Sequence, residues 1–187
     1  NGTTVLTFFL TDEEGDTYRV YIYASSSGAG YSLNQTISSS ARVIPACTNT
    51  HLAVAQGVDN LFDTTASVGV YTYNGSSWTI QQTVTGSDTV PGDGFVAPYQ
   101  TDTGLPPSSP TIAISGNVLV VGSWIDDISL SPKNSTEAKN SNYGSVYLFG
   151  LHSDSIWRQE RKLQFNNFTN FANAKSFGSS VDISSNY

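Results

Sequence analysis

The chain has 187 residues, of which only 12% are charged, and its formal net charge is −7 with eight Lys and Arg residues. This length is sufficient for one all-β domain with a hydrophobic core of its own. Nucleic acids and anionic membranes attract clustered basic residues, so the composition excludes nucleic acid as a partner. No apolar run reaches 18 residues, and we therefore expect no membrane insertion.

One pattern of strands occurs three times along the chain, over residues 4–37, 52–84 and 118–163. Each copy has an apolar strand, a turn rich in Gly or Asp, a strand that alternates Tyr and Val, and a polar strand opened by an aromatic residue. Alternation with period two predicts strands. Repeats of about 40 to 50 residues with several short strands each are typical of β-propeller blades. The predicted fold class is all-β, with about three blades' worth of four-stranded antiparallel sheets and incomplete ends.

The repeat also predicts where each blade lies in this single domain. Blade 1 covers about 1–38, blade 2 about 39–85, blade 3 about 110–165, and a final inner strand covers 176–184. We expect the strand 118–123 to pair with 145–149. Propellers have four to eight blades, so three cannot close a standard ring. We expect the final inner strand to pair either with strand 4–9 of another copy or with an equivalent strand of additional sequence. Such pairing gives a larger ring or a head-to-tail filament.

The third copy carries a motif that characterises a known family. It reads GNVLVVGS over 116–123, then Asp126 and Asp127, GSVYLF over 144–149, Trp157, and FGSSVDIS over 177–184. This stretch resembles the FG-GAP repeat, which builds the β-propellers of integrin α-subunits and of many secreted proteins. The resemblance is clear over about 110–184 and weaker over 1–84. It implies four-stranded blades with the Phe-Gly segment innermost, and an architecture more than one activity.

Calcium is the candidate cofactor that this resemblance raises, because a hard cation prefers several oxygen ligands on a tight turn. The candidate ligands are Asp12, Glu14, Asp16, Asp126 and Asp127. None of these groups has acidic residues at alternate positions ending in Gly, which is the integrin-type pattern that the resemblance implies. Asp and Gly also form ordinary turns between strands, and we favour that interpretation.

Enzyme motifs are weaker still, so we expect a non-enzymatic protein. The chain has two His residues and no Gly-x-Ser-x-Gly motif of a serine hydrolase. Cys47 is the single cysteine and lies close to His51 in sequence. A catalytic pair is one interpretation of them, but a small buried apolar side chain is the simpler interpretation of Cys47. An intermolecular disulfide through Cys47 remains open.

Two inserted segments, 85–109 and 124–143, contain aromatic residues outside the repeat positions. Aromatic side chains among Ser, Asn and Gly are typical of surfaces that recognise a protein or a sugar. The alternative is that these aromatics hold their own loops in place. The candidate binding residues are Trp124, Tyr143, Phe95 and Tyr99.

Composition and acceptor sequences together predict an extracellular or cell-surface glycoprotein. Asn-x-Ser/Thr acceptor sequences begin at Asn74, Asn134, Asn34, Asn167 and Asn1. The chain starts at Asn1 and holds no Met, which we interpret as a processed or excised segment. We expect a non-enzymatic structural or adhesion module that interacts with protein, through self-assembly or neighbouring blades. The alternative is a carbohydrate-binding or carbohydrate-cleaving propeller domain.

Overall fold

The computed structural model describes residues 4–11, 18–25, 30–39, 45–56, 66–90, 92–96, 111–126, 143–164 and 177–184, with the backbone alone for 4–11 and 39. These residues contain eleven strands and no helix that could cross a membrane. The strands are β1 (Thr4–Thr11), β2 (Tyr18–Ser25), β3 (Ser32–Ser39), β4 (Pro45–Cys47), β5 (His51–Gln56), β6 (Ser67–Tyr73), β7 (Trp78–Val84), β8 (Ile112–Ser115), β9 (Val118–Ser123), β10 (Ser145–Leu151) and β11 (Trp157–Gln164).

The strands form three antiparallel sheets, each built from strands that follow one another in the chain. Sheet 1 has the order β1-β2-β3, sheet 2 the order β4-β5-β6-β7, and sheet 3 the order β8-β9-β10-β11. The predicted all-β fold with four-stranded antiparallel blades is confirmed. The predicted pairing of β9 with β10 is also confirmed, with Ser123 opposite Ser145. Sheet 1 has three strands among the described residues, which agrees with the predicted incomplete first blade.

Sheet 2 is covered on both faces, so both sets of alternating side chains in β5 are buried. Leu52 and Val54 of β5 pack with Val20 and Ile22 of sheet 1. The intervening Ala53, together with β6, packs on the other side against sheet 3. The three sheets therefore stack in chain order, and each buries its apolar side chains against its neighbours. This arrangement fits blades of a propeller that has no closed ring within the described residues.

All three sheets have a β-bulge at the same point of the outer hairpin. The register shifts between Ile22 and Tyr23, between Val70 and Tyr71, and between Leu148 and Phe149. A bulge adds one residue to one strand and redirects the side chains around it. It also gives a common reference point for the three copies. The residues opposite the last position before the bulge are Gln35, Gln82 and Arg161.

The segment 177–184, expected as an inner strand, lies on the outer face of sheet 3. Val181 and Ile183 pack there against Val120 and Val146. Ile112 and Ile114 of β8 contact sheet 2 in the same way. Within the described residues, 177–184 forms one isolated parallel bridge and no strand. The segment therefore takes the place of an inner strand but lacks the neighbouring strand that would complete a ladder.

Candidate interaction surfaces between the sheets

The same side-chain contact joins sheet 1 to sheet 2 and sheet 2 to sheet 3. Gln35 Nε2 donates to the carbonyl of Trp78 at 2.9 Å, and the Trp78 N–H donates to Gln35 Oε1 at 2.7 Å. Gln82 and Trp157 form the same pair of hydrogen bonds, both at 2.8 Å. We call this contact the glutamine clasp. An amide can make it because it carries one acceptor and two donors on the same group.

The clasp lies at matching positions of the repeat. In each case the glutamine lies opposite the last middle-strand residue before the bulge, and its partner is the aromatic residue that opens the outer strand of the next sheet. The two aromatic side chains held in this way are nearly inaccessible, with 3% of Trp78 and 2% of Trp157 exposed. The clasp therefore sets the register between neighbouring sheets and closes the outer edge of their shared core.

The repeat leaves one half of the clasp at each end of the stack. Tyr31 precedes β3 at the position that Trp78 and Trp157 take in sheets 2 and 3, and its side chain is 50% exposed. At the other end, Arg161 occupies the clasp position of β11 and is also exposed. A guanidinium has donors only. Sheet 3 therefore cannot form the reciprocal pair of hydrogen bonds that sheets 1 and 2 form.

The bulge residue beside the clasp distinguishes the two interfaces. Gln81 reaches across to sheet 3, where its Oε1 lies 3.4 Å from the indole Nε1 of Trp157. Asn34 holds the equivalent place in β3 and has a shorter side chain. The indole Nε1 of Trp78 is buried and has no hydrogen-bond partner among the described residues. The first interface thus lacks one hydrogen bond that the second one has.

A partly buried ionic cluster holds the chain where it leaves sheet 2 and meets sheet 3. Lys162 Nζ lies 2.6 Å from Asp126 Oδ2 and 2.8 Å from Asp88 Oδ2. The Tyr147 hydroxyl donates to Asp88 Oδ1 at 2.9 Å and lies 3.2 Å from Asp126 Oδ2. Ser145 Oγ donates to the same Asp126 oxygen. Because Asp88 follows β7 and the other four belong to or flank β9, β10 and β11, the cluster joins the two sheets.

The charge states in this cluster suit a structural role. Burial and the nearby carboxylates raise the pKa of Tyr147, so its phenol stays neutral. For Lys162, burial lowers the pKa, but hydrogen bonds with Asp126 and Asp88 outweigh it and the net shift is upward. Lys162 therefore remains an ammonium, and it supplies the positive charge that the 1%-exposed Asp126 requires.

Calcium remains a prediction, and the described residues give it no support. Asp126 is already balanced by Lys162. The described residues contain no group of three or more His, Cys, Asp or Glu side chains placed to hold a metal. The other candidate ligands, Asp12, Glu14, Asp16 and Asp127, lie outside the described residues.

Three glycines meet where the segment 177–184 lies on the outer face of sheet 3. A Cβ on Gly122 would lie 1.8 Å from the Gly178 carbonyl oxygen, and a Cβ on Gly144 would lie 2.0 Å from the Phe177 oxygen. Gly178 has a φ of 85°, a region that side chains disfavour. The Phe177 N–H donates to the Tyr143 carbonyl at 2.8 Å. Direct contact between backbones thus fixes the Phe-Gly segment on this face.

The three candidate binding aromatics that the structure describes do not form one exposed surface. Phe95 is buried, because only 3% of it is accessible and its ring packs edge-on against Tyr147 at 5.4 Å. Its sequence neighbours pack beside β9, so the residue completes the core between sheets 2 and 3. Trp124 and Tyr143 are half-buried beside β9 and β10, and Tyr99 lies outside the described residues.

Two of the five glycosylation candidates are described, and both are exposed. Asn74 opens the turn between β6 and β7, where its Oδ1 accepts hydrogen bonds from the N–H groups of Ser76 and Ser77 at 3.0 and 2.9 Å. Asn34 lies at the bulge of β3. Asn1, Asn134 and Asn167 lie outside the described residues.

Cys47 and His51 lie on opposite faces of sheet 2. Cys47 is half-buried and packs with the core shared by sheets 1 and 2. The imidazole of His51 lies edge-on to Trp157 in sheet 3, with 5.5 Å between the ring centroids. Cys47 lies opposite Leu52 in the sheet register, so it shares the face of Leu52, while the neighbouring His51 takes the other face.

Comparison with known proteins gave no match to any family model and none to a curated protein. The residues that join the sheets are therefore known from the structure alone. Gln35 and Gln82 were not candidates from the sequence, although both lie four residues after the aromatic that opens the outer strand. That spacing in two copies is a signal that could have identified them. No comparable spacing indicates Lys162 and Asp88, which come from different strands.

Proposed function

We propose that the chain is a non-enzymatic structural and interaction module of the FG-GAP type, secreted or on a cell surface, that completes a larger propeller or assembles head to tail. One observation carries this proposal. β1 lies at the edge of a three-stranded sheet, and 177–184 lies in an inner-strand position without a strand beside it among the described residues. An open strand edge is a template for pairing with another strand.

The internal repeat specifies how β1 and the segment would pair. Leu6 lies opposite Tyr23, and Leu119 lies opposite Phe149, each directly after the bulge. Leu6 and Leu119 are therefore equivalent residues of their second strands. In sheet 3, the inner-strand residue opposite Leu119 is Ile114.

The residues 181–184 correspond to 112–115 in both sequence and packing. Transfer of the sheet 3 register to a hybrid blade places Ile183 opposite Leu6 and Asp182 opposite Thr7. This register is common to a larger ring and to a filament, because both need an inner strand beside β1. A test of this register therefore applies to both forms of assembly.

Disulfide trapping at this register tests the proposal. We expect the full chain with Thr7→Cys and Asp182→Cys, in a Cys47→Ala background, to give intermolecular disulfides at high protein concentration. A disulfide captures even a short-lived contact between two copies, and directly opposite residues allow the required geometry. Thr7→Cys with Ser180→Cys is the control, since it is two residues out of register. Equal trapping in both variants, or none in either, would contradict strand pairing at these edges.

The exposed acceptor sequences and the scarcity of charge support a secreted location. Expression in a secretory eukaryotic host tests this part, with intact mass measured before and after deglycosylation. Ser76→Ala is the appropriate variant because it removes the acceptor sequence and keeps the backbone hydrogen bonds to Asn74. If deglycosylation removes the same mass from the wild type and from Ser76→Ala, Asn74 carries no sugar, which would count against the glycoprotein assignment.

A further inference from the structure

The exposed end of sheet 1 has the features of a blade interface with its partner missing. Tyr31 is 50% exposed, whereas the residues at its position in sheets 2 and 3 are 3% and 2% exposed. In both of those sheets, the cover comes from the preceding sheet together with the glutamine clasp. The backbone N–H and carbonyl of Tyr31 are equivalent to the groups of Trp78 and Trp157 that donate and accept in the two clasps.

The clasp geometry restricts which side chain can fill this place. The partner must donate to a backbone carbonyl and accept from the N–H of the same residue, as Gln35 and Gln82 do at 2.7 to 2.9 Å. Glutamate offers acceptors only, and Lys or Arg offers donors only. An amide on a side chain of glutamine length meets both requirements.

The third sheet of the chain itself does not meet them. Arg161 occupies the clasp position of β11, so in a head-to-tail contact it would face the N–H of Tyr31 with another donor. Partial burial of that charge would add a desolvation cost, since no carboxylate takes part in the two described clasps. A second copy therefore presents a mismatched surface at this position.

We propose that the Tyr31 end of sheet 1 binds a further blade whose outer strand carries a glutamine at the clasp position, and that sheet 3 of a second copy is not this partner. The proposal rests on the interaction role proposed above and selects between its two forms. It favours a larger propeller that includes other blades over a homopolymeric filament. Arg161 then acts against self-association, which is a recognised way to obtain specificity.

Substitution of Arg161 tests this proposal. Arg161→Gln gives sheet 3 the clasp residue, so a second copy becomes the matching partner. Arg158→Gln is the control, because it removes the same charge from an exposed position of the same strand outside the clasp. Sedimentation velocity of the full chains under reducing conditions should show that Arg161→Gln tightens self-association by roughly tenfold, the scale of two added hydrogen bonds. Arg158→Gln should match the wild type.

Two further variants test the same contact from its other side and within an existing interface. Tyr31→Lys in the Arg161→Gln background should reverse the gain, because it places a charge where the aromatic ring becomes buried. Gln82→Arg places the Arg161 chemistry inside an existing interface, and we expect it to lower Tm by roughly 3 to 8 °C, as much as Gln82→Met does.

Either of two results would overturn the inference. One is equal association of the wild type, Arg161→Gln and Arg158→Gln. The other is a Gln82→Arg protein that is as stable as the wild type, since arginine would then satisfy the clasp. Register-specific disulfide trapping together with either result would leave the proposed function standing and reject the glutamine requirement alone.

Discussion

The amide of Gln82 makes both of its hydrogen bonds with the backbone of Trp157, a residue 75 positions later in the chain. This contact connects the outer strands of two sheets whose inner strands are already packed together. It gives the interface a polar outer boundary with a defined register. Its repetition between Gln35 and Trp78 shows that the repeat conserves a contact between sheets as well as a strand pattern.

Loss of the clasp should destabilise the stack. We expect Gln82→Leu to lower the free energy of unfolding by about 1 to 3 kcal/mol, because it removes two hydrogen bonds and leaves two partly buried backbone groups without partners. Chemical denaturation measures this change. Thr79→Val is the control, since it alters an exposed position on the same strand. A Gln82→Leu protein as stable as the control would show that the clasp contributes nothing to stability.

The interface between sheets 1 and 2 should gain stability from a longer side chain at the bulge. Asn34→Gln reproduces Gln81, which approaches the indole N–H of Trp157. The indole N–H of Trp78 has no partner among the described residues. We expect an increase of about 0.5 to 1.5 kcal/mol in the free energy of unfolding.

This measurement needs protein from a bacterial host, because Asn34 is also a glycosylation candidate. Asn34→Thr is the control, since threonine suits a strand but cannot reach the indole. A gain of the same size in both variants would attribute the effect to strand propensity. No gain in either would show that the indole N–H already has a sufficient partner.

The strands were predictable because residue types alternate along them with period two, as apolar residues and Tyr do in β2, and successive side chains of a strand face opposite sides of the sheet. The polar contacts between sheets could not be predicted from the sequence, because they depend on which side chain a bulge directs toward the next sheet. Phe95 shows the same limit. It lies among Gly and Pro residues that indicate a loop, but its contact with Tyr147 arises from a segment 52 residues away in sequence. The unmatched clasp positions at Tyr31 and Arg161 could not be predicted either, because they follow from the strand register that aligns the three copies.

The glycine contact on sheet 3 predicts a specific loss. In Gly122→Ala, the new methyl group would overlap the Gly178 carbonyl, which is backbone and cannot rotate away. We expect the segment 177–184 to leave the sheet face, so that protease cleaves it much faster while the strand signal of the whole chain in circular dichroism is kept. Gly30→Ala is the control, because a Cβ there meets no atom within 4 Å. Equal cleavage rates for the two variants would contradict the close packing.

The ionic cluster predicts a large effect of removing its one ammonium. Lys162→Met leaves Asp126 buried with its charge uncompensated. We expect a loss of roughly 3 to 5 kcal/mol in the free energy of unfolding. The double variant Lys162→Met with Asp126→Asn should recover much of this loss, because it removes the isolated charge. A double variant less stable than Lys162→Met would show that Asp126 has another source of positive charge.

His51 should make stability fall in mild acid. Burial lowers the pKa of this imidazole below its ordinary value of 6.5. The unfolded state then binds the proton more readily than the folded state, so the contribution of His51 to stability is complete above pH 6.5 and is lost as pH falls through 6.5 toward the folded-state pKa. We expect His51→Gln to reduce the loss of stability between pH 7.5 and pH 5.0 in urea denaturation. His152→Gln is the control, since His152 is exposed. If both variants keep the wild-type pH dependence, carboxylates rather than His51 determine the acid sensitivity.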